Sequence, residues 1–228
     1  MIRVVLWSMV AVGALATSGA AQTGPVTIAV LPFEDRGSYG QDKQVFRALE
    51  LGIPAALEVE LRKHPRVRLV DRARVSAALK AENLSPTARV DAATASRVGN
   101  ASGARYVVKG NFADFYGKFR IDARVVDVES GRILKVVSNS DPSLQNRADL
   151  SRIIQDLAGK ILSAAGLPPT SGRAAQPRPV PTEALTQYSL GLLYENEGDE
   201  IKAGEHYRRA LTAYPDYAEA REGMQRVR

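Results

Sequence analysis

The stretch GARYVVKGNFADFYGKFRIDARVVDVESGRIL, residues 103–134, alternates apolar and polar side chains over most of its length. A period of two is the mark of strands with one dry face. Residues 106–112 read as one strand. Residues 119–128 read as a second, with Phe119, Ile121, Ala123, Val125 and Val128 on its dry face. Residues 133–137 follow as a third. Tyr116-Gly117-Lys118 and Glu129-Ser130-Gly131 are turns, so the three strands are expected to form an antiparallel meander.

Upstream, VTIAVLPFED (26–35) is a short β-branched run closed by Pro32, the pattern of a buried strand. Val45, Leu49, Ile53, Leu57 and Leu61 then recur every four residues, one face of a helix. Pro54 interrupts that face and predicts a kink or the start of a second helix. RVRLV (66–70) reads as a strand, and Asp71 as the cap of a helix carrying Val75, Ala78 and Leu79. A further helix is expected over residues 91–100. Downstream, Leu150, Ile153, Ile154, Leu157, Ile161 and Leu162 mark an amphipathic helix. The order β-α-β-α-α-β-β-β-α predicts an α/β (α+β) domain around a mixed sheet over residues 24–166.

LPPTSGRAAQPRPVPT (167–182) cannot pack a core, and its prolines favour an extended spacer. Beyond it, Leu190, Gly191, Tyr194, Ala203, Tyr207, Ala210 and Pro215 have the spacing of one tetratricopeptide repeat. Gly191 and Ala203 would let two helices approach, Tyr194 and Tyr207 would fill the gap, and residues 218–227 would cap the pair. Residues 183–228 are thus expected to be a small all-α hairpin with a capping helix. A single repeat needs support from the α/β domain, a second copy or a partner. A groove on it would use Gln187, Glu195 or Arg208.

The N-terminus has Arg3, an apolar run over residues 4–16 and small residues to Ala21, the pattern of a secretory signal peptide over residues 1–21; a retained membrane anchor is the rival. The 228 residues include no cysteine, which excludes disulfides, thiolate metal sites and an acylated lipoprotein cysteine. The formal net charge is +6. For an exported protein such a charge suits anionic lipid or cell wall better than nucleic acid. The expected location is the periplasm, peripheral to the outer membrane.

The segments IAVLPFED, RVRLVDRARVSAALKAENLS, ASRVGNASGARYVVKGNF and RIDARVVDVESGRIL together resemble the CsgG-like superfamily, across about residues 26–165. That superfamily includes the curli secretion channel CsgG, FlgO and LpoB, and a similar fold forms the N-terminal domain of TolB. The resemblance implies an envelope protein acting through protein contacts, with no catalytic residue to carry over. The chain departs from these relatives in lacking the lipoprotein cysteine and the long hairpins of a membrane barrel. Arg120, Asp122, Arg124 and Asp127 charge the second face of the middle strand, against a pore.

Arg62, Lys63, Arg66, Arg68, Arg72 and Arg74 form a basic cluster, opposed only by Asp71. It is a candidate surface for an anionic ligand. His64 and His206 are the only histidines and lack metal-ligand spacing. Glu34 and Asp35 follow the first strand without a nucleophile or base beside them, and read as a polar turn. Asp114, Asp122 and Asp127 are expected on an exposed face, paired with Arg120, Arg124 or Lys135. The expectation is therefore no enzyme, no cofactor and no metal. The leading function is an interaction scaffold in envelope assembly, secretion or surface-structure biogenesis, meeting other envelope proteins through the repeat or forming homo-oligomers. The alternative is a module that binds peptidoglycan or an anionic ligand.

Overall fold

The computed structural model describes residues 24–40, 42–85, 89–139, 144–168 and 179–227. The expected signal segment lies outside them, as do residues 169–178, most of the proline-rich stretch. The chain runs β1 (Val26–Val30), β2 (Glu34–Asp35), α1 (Lys43–Arg62), β3 (Val67–Leu69), α2 (Arg72–Ala81), α3 (Ala92–Ser102) and β4 (Tyr106–Phe115). It continues through β5 (Lys118–Asp127), β6 (Arg132–Ser138), β7 (Gln145–Asn146), a 3-10 turn, α4 (Leu150–Ala164), α5 (Thr182–Glu197), α6 (Glu200–Ala213) and α7 (Ala218–Arg226). Seven strands form one mixed sheet of order β3-β1-β4-β5-β6, with β2 beside β4 and β7 beside β5. β1 is parallel to both its neighbours, whereas β4, β5 and β6 are antiparallel.

The opening stretch builds the long strands at the centre of this sheet. Tyr116 and Gly117 both have positive φ, 52° and 85°, the geometry that lets a two-residue turn follow the twist of its strands. Lys118, read from sequence as part of the turn, is already in β5 opposite Phe115. β4 therefore runs three residues further than its alternation suggested. Its far end is held by Asp114, which is buried rather than exposed: Oδ1 accepts from the Gly117 N–H at 2.6 Å, and Arg147 Nη1 lies 2.9 Å from Oδ2. Asp127 is also buried and pairs with Arg105 at 2.9 Å; of the three aspartates only Asp122 pairs with Arg120, at 2.8 Å.

One face of the sheet presents Ile28, Val30, Phe112, Phe119, Ile121, Ala123 and Val125 to Leu49, Ile53 and Leu57 of α1 and to Ile153, Leu157 and Ile161 of α4. The other presents Ala29, Leu31, Val107, Val126 and Val128 to α2 and α3, a smaller layer. Asp71 and Asp91 cap α2 and α3 by accepting from Ala73 and Thr94 N–H groups, each at 2.7 Å.

Pro54 neither divides α1 nor starts a new helix; one helix runs through it. A proline has no N–H to give to the carbonyl four residues earlier. That carbonyl, Glu50 O, instead accepts from Phe33 N at 3.0 Å, and Glu50 Oε1 accepts from Asp35 N at 3.1 Å. The gap in the helix ladder fastens α1 to the chain leaving β1.

The helical unit is not held at the end of a spacer. α5 lies directly along α1, so close that a Cβ on Gly52 would fall 1.8 Å from Ser189 Oγ. Leu190 and Leu193 close over Ala48. Arg47 pairs with Glu197 at 2.7 Å, and Gln44 bonds the Tyr194 hydroxyl. Both described ends of the proline-rich stretch are tied down: His64 Nε2 is 3.2 Å from Pro168 O, and Ser151 Oγ donates to Val180 O at 2.5 Å.

Candidate binding face

α2 and α3 cover only half of their side of the sheet. On β4 the period of two carries that side from Val107, under the helices, to Lys109 and Asn111. The register places Arg124 directly opposite Lys109 and Asp122 opposite Asn111. Val136 of β6 lies beside Arg124, Ser138 beside Asp122, and Glu34 of β2 beside Asn111. The result is an open, polar floor at the exit of β1. A small opening of about 20 Å³ sits in it, lined by Glu34, Arg36, Arg89, Val90, Lys109 and Arg124 among others.

Lys109 is 7% exposed, and its Nζ donates to the Pro32 carbonyl at 2.6 Å. Burial pulls its pKa down to about 8, with Glu34 and Glu50 resisting the fall. Burial in turn pushes the Glu50 carboxyl up, opposed by the bond from Asp35 N–H. Glu34 holds Arg36 at 3.6 Å and Arg89 at 4.0 Å, both loose contacts. Asp35 closes its own turn, accepting from Ser38 N at 2.9 Å and Ser38 Oγ at 2.7 Å. The "polar turn" of the sequence is thus a strand, and its two carboxylates have separate roles.

Beside the floor runs β6, the end strand of the sheet, with no strand on its outer side among the described residues. Ile133, Leu134 and Val136 are 42%, 44% and 56% exposed. The register skips Leu134 between Lys135 and Ile133, a bulge that twists the edge.

The residues of the basic cluster expected from sequence are spread over the end of α1, β3 and α2, with Arg62 and Arg72 both acting on Glu58. Lys63 pairs with Glu60 at 2.6 Å, and Arg72 bridges from α2 to Glu58 of α1. Arg66 Nη2 reaches Gly24 O at 3.4 Å, while Arg62, Arg68 and Arg74 stay exposed on an helix end, a strand and another helix. Of the repeat positions, Ala203, Tyr207 and Ala210 are fully buried. Gly191 makes room for the Tyr207 ring, since a Cβ there would lie 2.4 Å from Cε1. Leu190 turns toward α1, not α6, and Tyr194 is half-buried at the rim, stacked on His206 at 5.3 Å. Pro215 is exposed just past α6. Gln187 bonds His206 Nδ1 at 2.8 Å and Glu195 pairs with Arg226 at 2.7 Å, leaving Arg208 on the open surface. His64 is buried, accepting from Arg66 N through Nδ1 at 3.2 Å, and so serves as a structural clip.

Of the floor residues, sequence reasoning singled out only Arg124, as a charge on the second face of the middle strand; Lys109, Arg36 and Arg89 escaped it. Alternation alone placed Lys109 and Arg124 on polar positions, but their pairing depends on the register of the hairpin, and the other two arrive on loops. No helix among the described residues is long and apolar enough to cross a membrane.

No protein-family model matches the chain, and no curated protein matches it. Among solved structures it is similar to the LpoB C-terminal domain from Escherichia coli, at 17% identity and TM-score 0.39, over 52% of this chain and 83% of that one. It is similar to lipoprotein GNA1162 from Neisseria meningitidis at 18% identity and TM-score 0.42, over 60% and 96%. TolB from Acinetobacter baumannii gives 18% and 0.36, over 62% of this chain and 27% of its own. Likeness at this level leaves the function to be read from the chain's own surfaces.

Proposed function

We propose that this chain is a non-enzymatic, exported protein-interaction module of the cell envelope, and that β6 is the edge that receives an extended segment of a partner protein. The observation that carries the reading is the exposure of Ile133, Leu134 and Val136 on an end strand that has no outer neighbour among the described residues. Such an edge offers backbone donors and acceptors together with apolar side chains, the ingredients of strand addition. Its charges specify the occupant. Residues 131–138 include Arg132 and Lys135 and no carboxylate. Two copies pairing antiparallel over the whole strand would set Lys135 against Lys135, which opposes self-assembly. A partner strand that alternates apolar and acidic residues meets both needs. Placement in the envelope rests on the export pattern of the N-terminus. In this reading α5–α7 are a tetratricopeptide hairpin with its cap, used as a buttress for α1; the close fit of Tyr207 against Gly191 supports it.

A photo-activatable cross-linking residue placed at position 134 or at position 208 of the full chain, in cells, tests the assignment. The expected result is a discrete adduct with a different envelope protein from position 134, absent from position 208 and lost on Lys135→Glu. An adduct with a second copy of the chain, or one formed only from position 208, overturns it.

A further inference from the structure

Lys109 and Arg124 face each other directly across the β4–β5 ladder. Like charges in that position repel. Neither has a carboxylate in ion-pair contact among the described residues, and the only hydrogen bond of the buried Lys109 ammonium there goes to the Pro32 carbonyl. An ammonium has three N–H donors, so this one is under-used in a place where water is scarce. Arg36 and Arg89 close the opening, with Glu34 the single carboxylate in its lining. The lining side chains alone are four cations and one anion, a net 4 − 1 = +3, with the Glu50 carboxylate also acting on Lys109 from behind a space large enough for one small group. Val90 supplies an apolar wall. Arg124 belongs to no apolar cluster and caps no helix among the described residues.

We infer that this opening is a binding site for a compact oxyanion, a phosphate or carboxylate group, seated between Lys109 and Arg124 with Arg36 and Arg89 at its mouth. The anion would cancel the repulsion across the ladder and take the free N–H donors of Lys109 in charge-assisted bonds. Val136 of β6 lies beside Arg124, but no β6 side chain lines the opening, and either reading can fail alone.

Inorganic phosphate, acetate and chloride are titrated into the purified full chain while amide resonances and the thermal midpoint are followed. Phosphate or acetate is expected to shift the Gly110 and Asn111 amides and raise the midpoint, while chloride at equal ionic strength does neither. Arg124→Gln should weaken binding about tenfold or more. It should also melt no lower than wild type without ligand, because a repulsion is gone, and should gain nothing from phosphate. Arg208→Gln serves as the control. Binding should weaken as pH rises through 8, where Lys109, which faces Glu34, Glu50, Arg36, Arg89 and Arg124, loses its proton. A parallel arm with vesicles containing phosphatidylglycerol separates a lipid source from a free anion: Arg124-dependent binding to vesicles alone assigns the phosphate to a headgroup. The inference is overturned if no anion moves these amides in either arm, or if Arg124→Gln binds as wild type does.

Discussion

Lys109 carries a cation into the interior on one hydrogen bond. Its native pKa of about 8 lies below the ordinary 10.5. Below pH 8 both native and unfolded chains are protonated, and the full cost of burying the charge is present. Between 8 and 10.5 the native chain sheds the proton while the unfolded chain keeps it, so stability rises with pH. Relative to Lys109→Met, wild type should gain up to ~3 kcal/mol across that window, read from denaturant unfolding at pH 7 and pH 10. A pH-independent difference would refute the buried charge. Tyr207 is the other decisive residue. Its ring is wedged between Gly191 on α5 and Gly223 on α7, where added Cβ atoms would fall 2.4 and 2.7 Å away, and its hydroxyl bonds Glu195. Tyr207→Ala should cost ~3–5 kcal/mol, and Gly191→Ala should lower the thermal midpoint although alanine favours helix. The sequence made Tyr207 legible as core through its repeat spacing. It hid Lys109, because a polar residue in an alternating strand looks solvated until its neighbours across the ladder are known.

At the level of elements, the alternation of residues 103–134 marked the strands, and the four-residue recurrence of Leu49, Ile53, Leu57 and Leu61 marked α1 and its buried face. Two-residue strands such as β2 and β7 left no periodic signal, since two residues cannot show a period. The contact of α1 with α5 was equally invisible, because it depends on a glycine meeting a serine from the far end of the chain. That contact makes a specific prediction. Gly52→Ala should weaken the packing of α5 on α1 by ~1–3 kcal/mol, and Ser189→Gly in the same chain should restore it. Ser189→Ala should not, since its Cβ would remain in the way; a Cβ on Gly52 would stand 2.5 Å from the Ser189 Cβ. Thermal melts of the three variants decide the matter, and equal melts for the two double variants would reject a steric origin.

Over the whole molecule, composition and spacing separated an α/β part from a helical part, with a proline-rich spacer between them and the support of the helical part open between the α/β domain, a second copy and a partner. The apolar faces of α1 and α5, Ala48 against Leu190 and Leu193, join the parts directly. Calorimetry of the full chain should therefore give one cooperative transition. Deletion of 183–228 should lower the midpoint and expose Ala48 and Leu51 to a hydrophobic dye; two separable transitions, or an unperturbed truncated domain, would contradict the joint. Pro54 has a further consequence, for the order in which this body assembles. The Glu50 carbonyl that it frees binds Phe33, a near neighbour in sequence, so the loop to be closed is short and its entropy cost small. The exit of β1 and the middle of α1 can therefore condense as a single early unit, onto which the distant strands and α5 later settle. Pro54→Ala would give the helix its own donor for that carbonyl, and refolding should slow while the helix itself grows stronger.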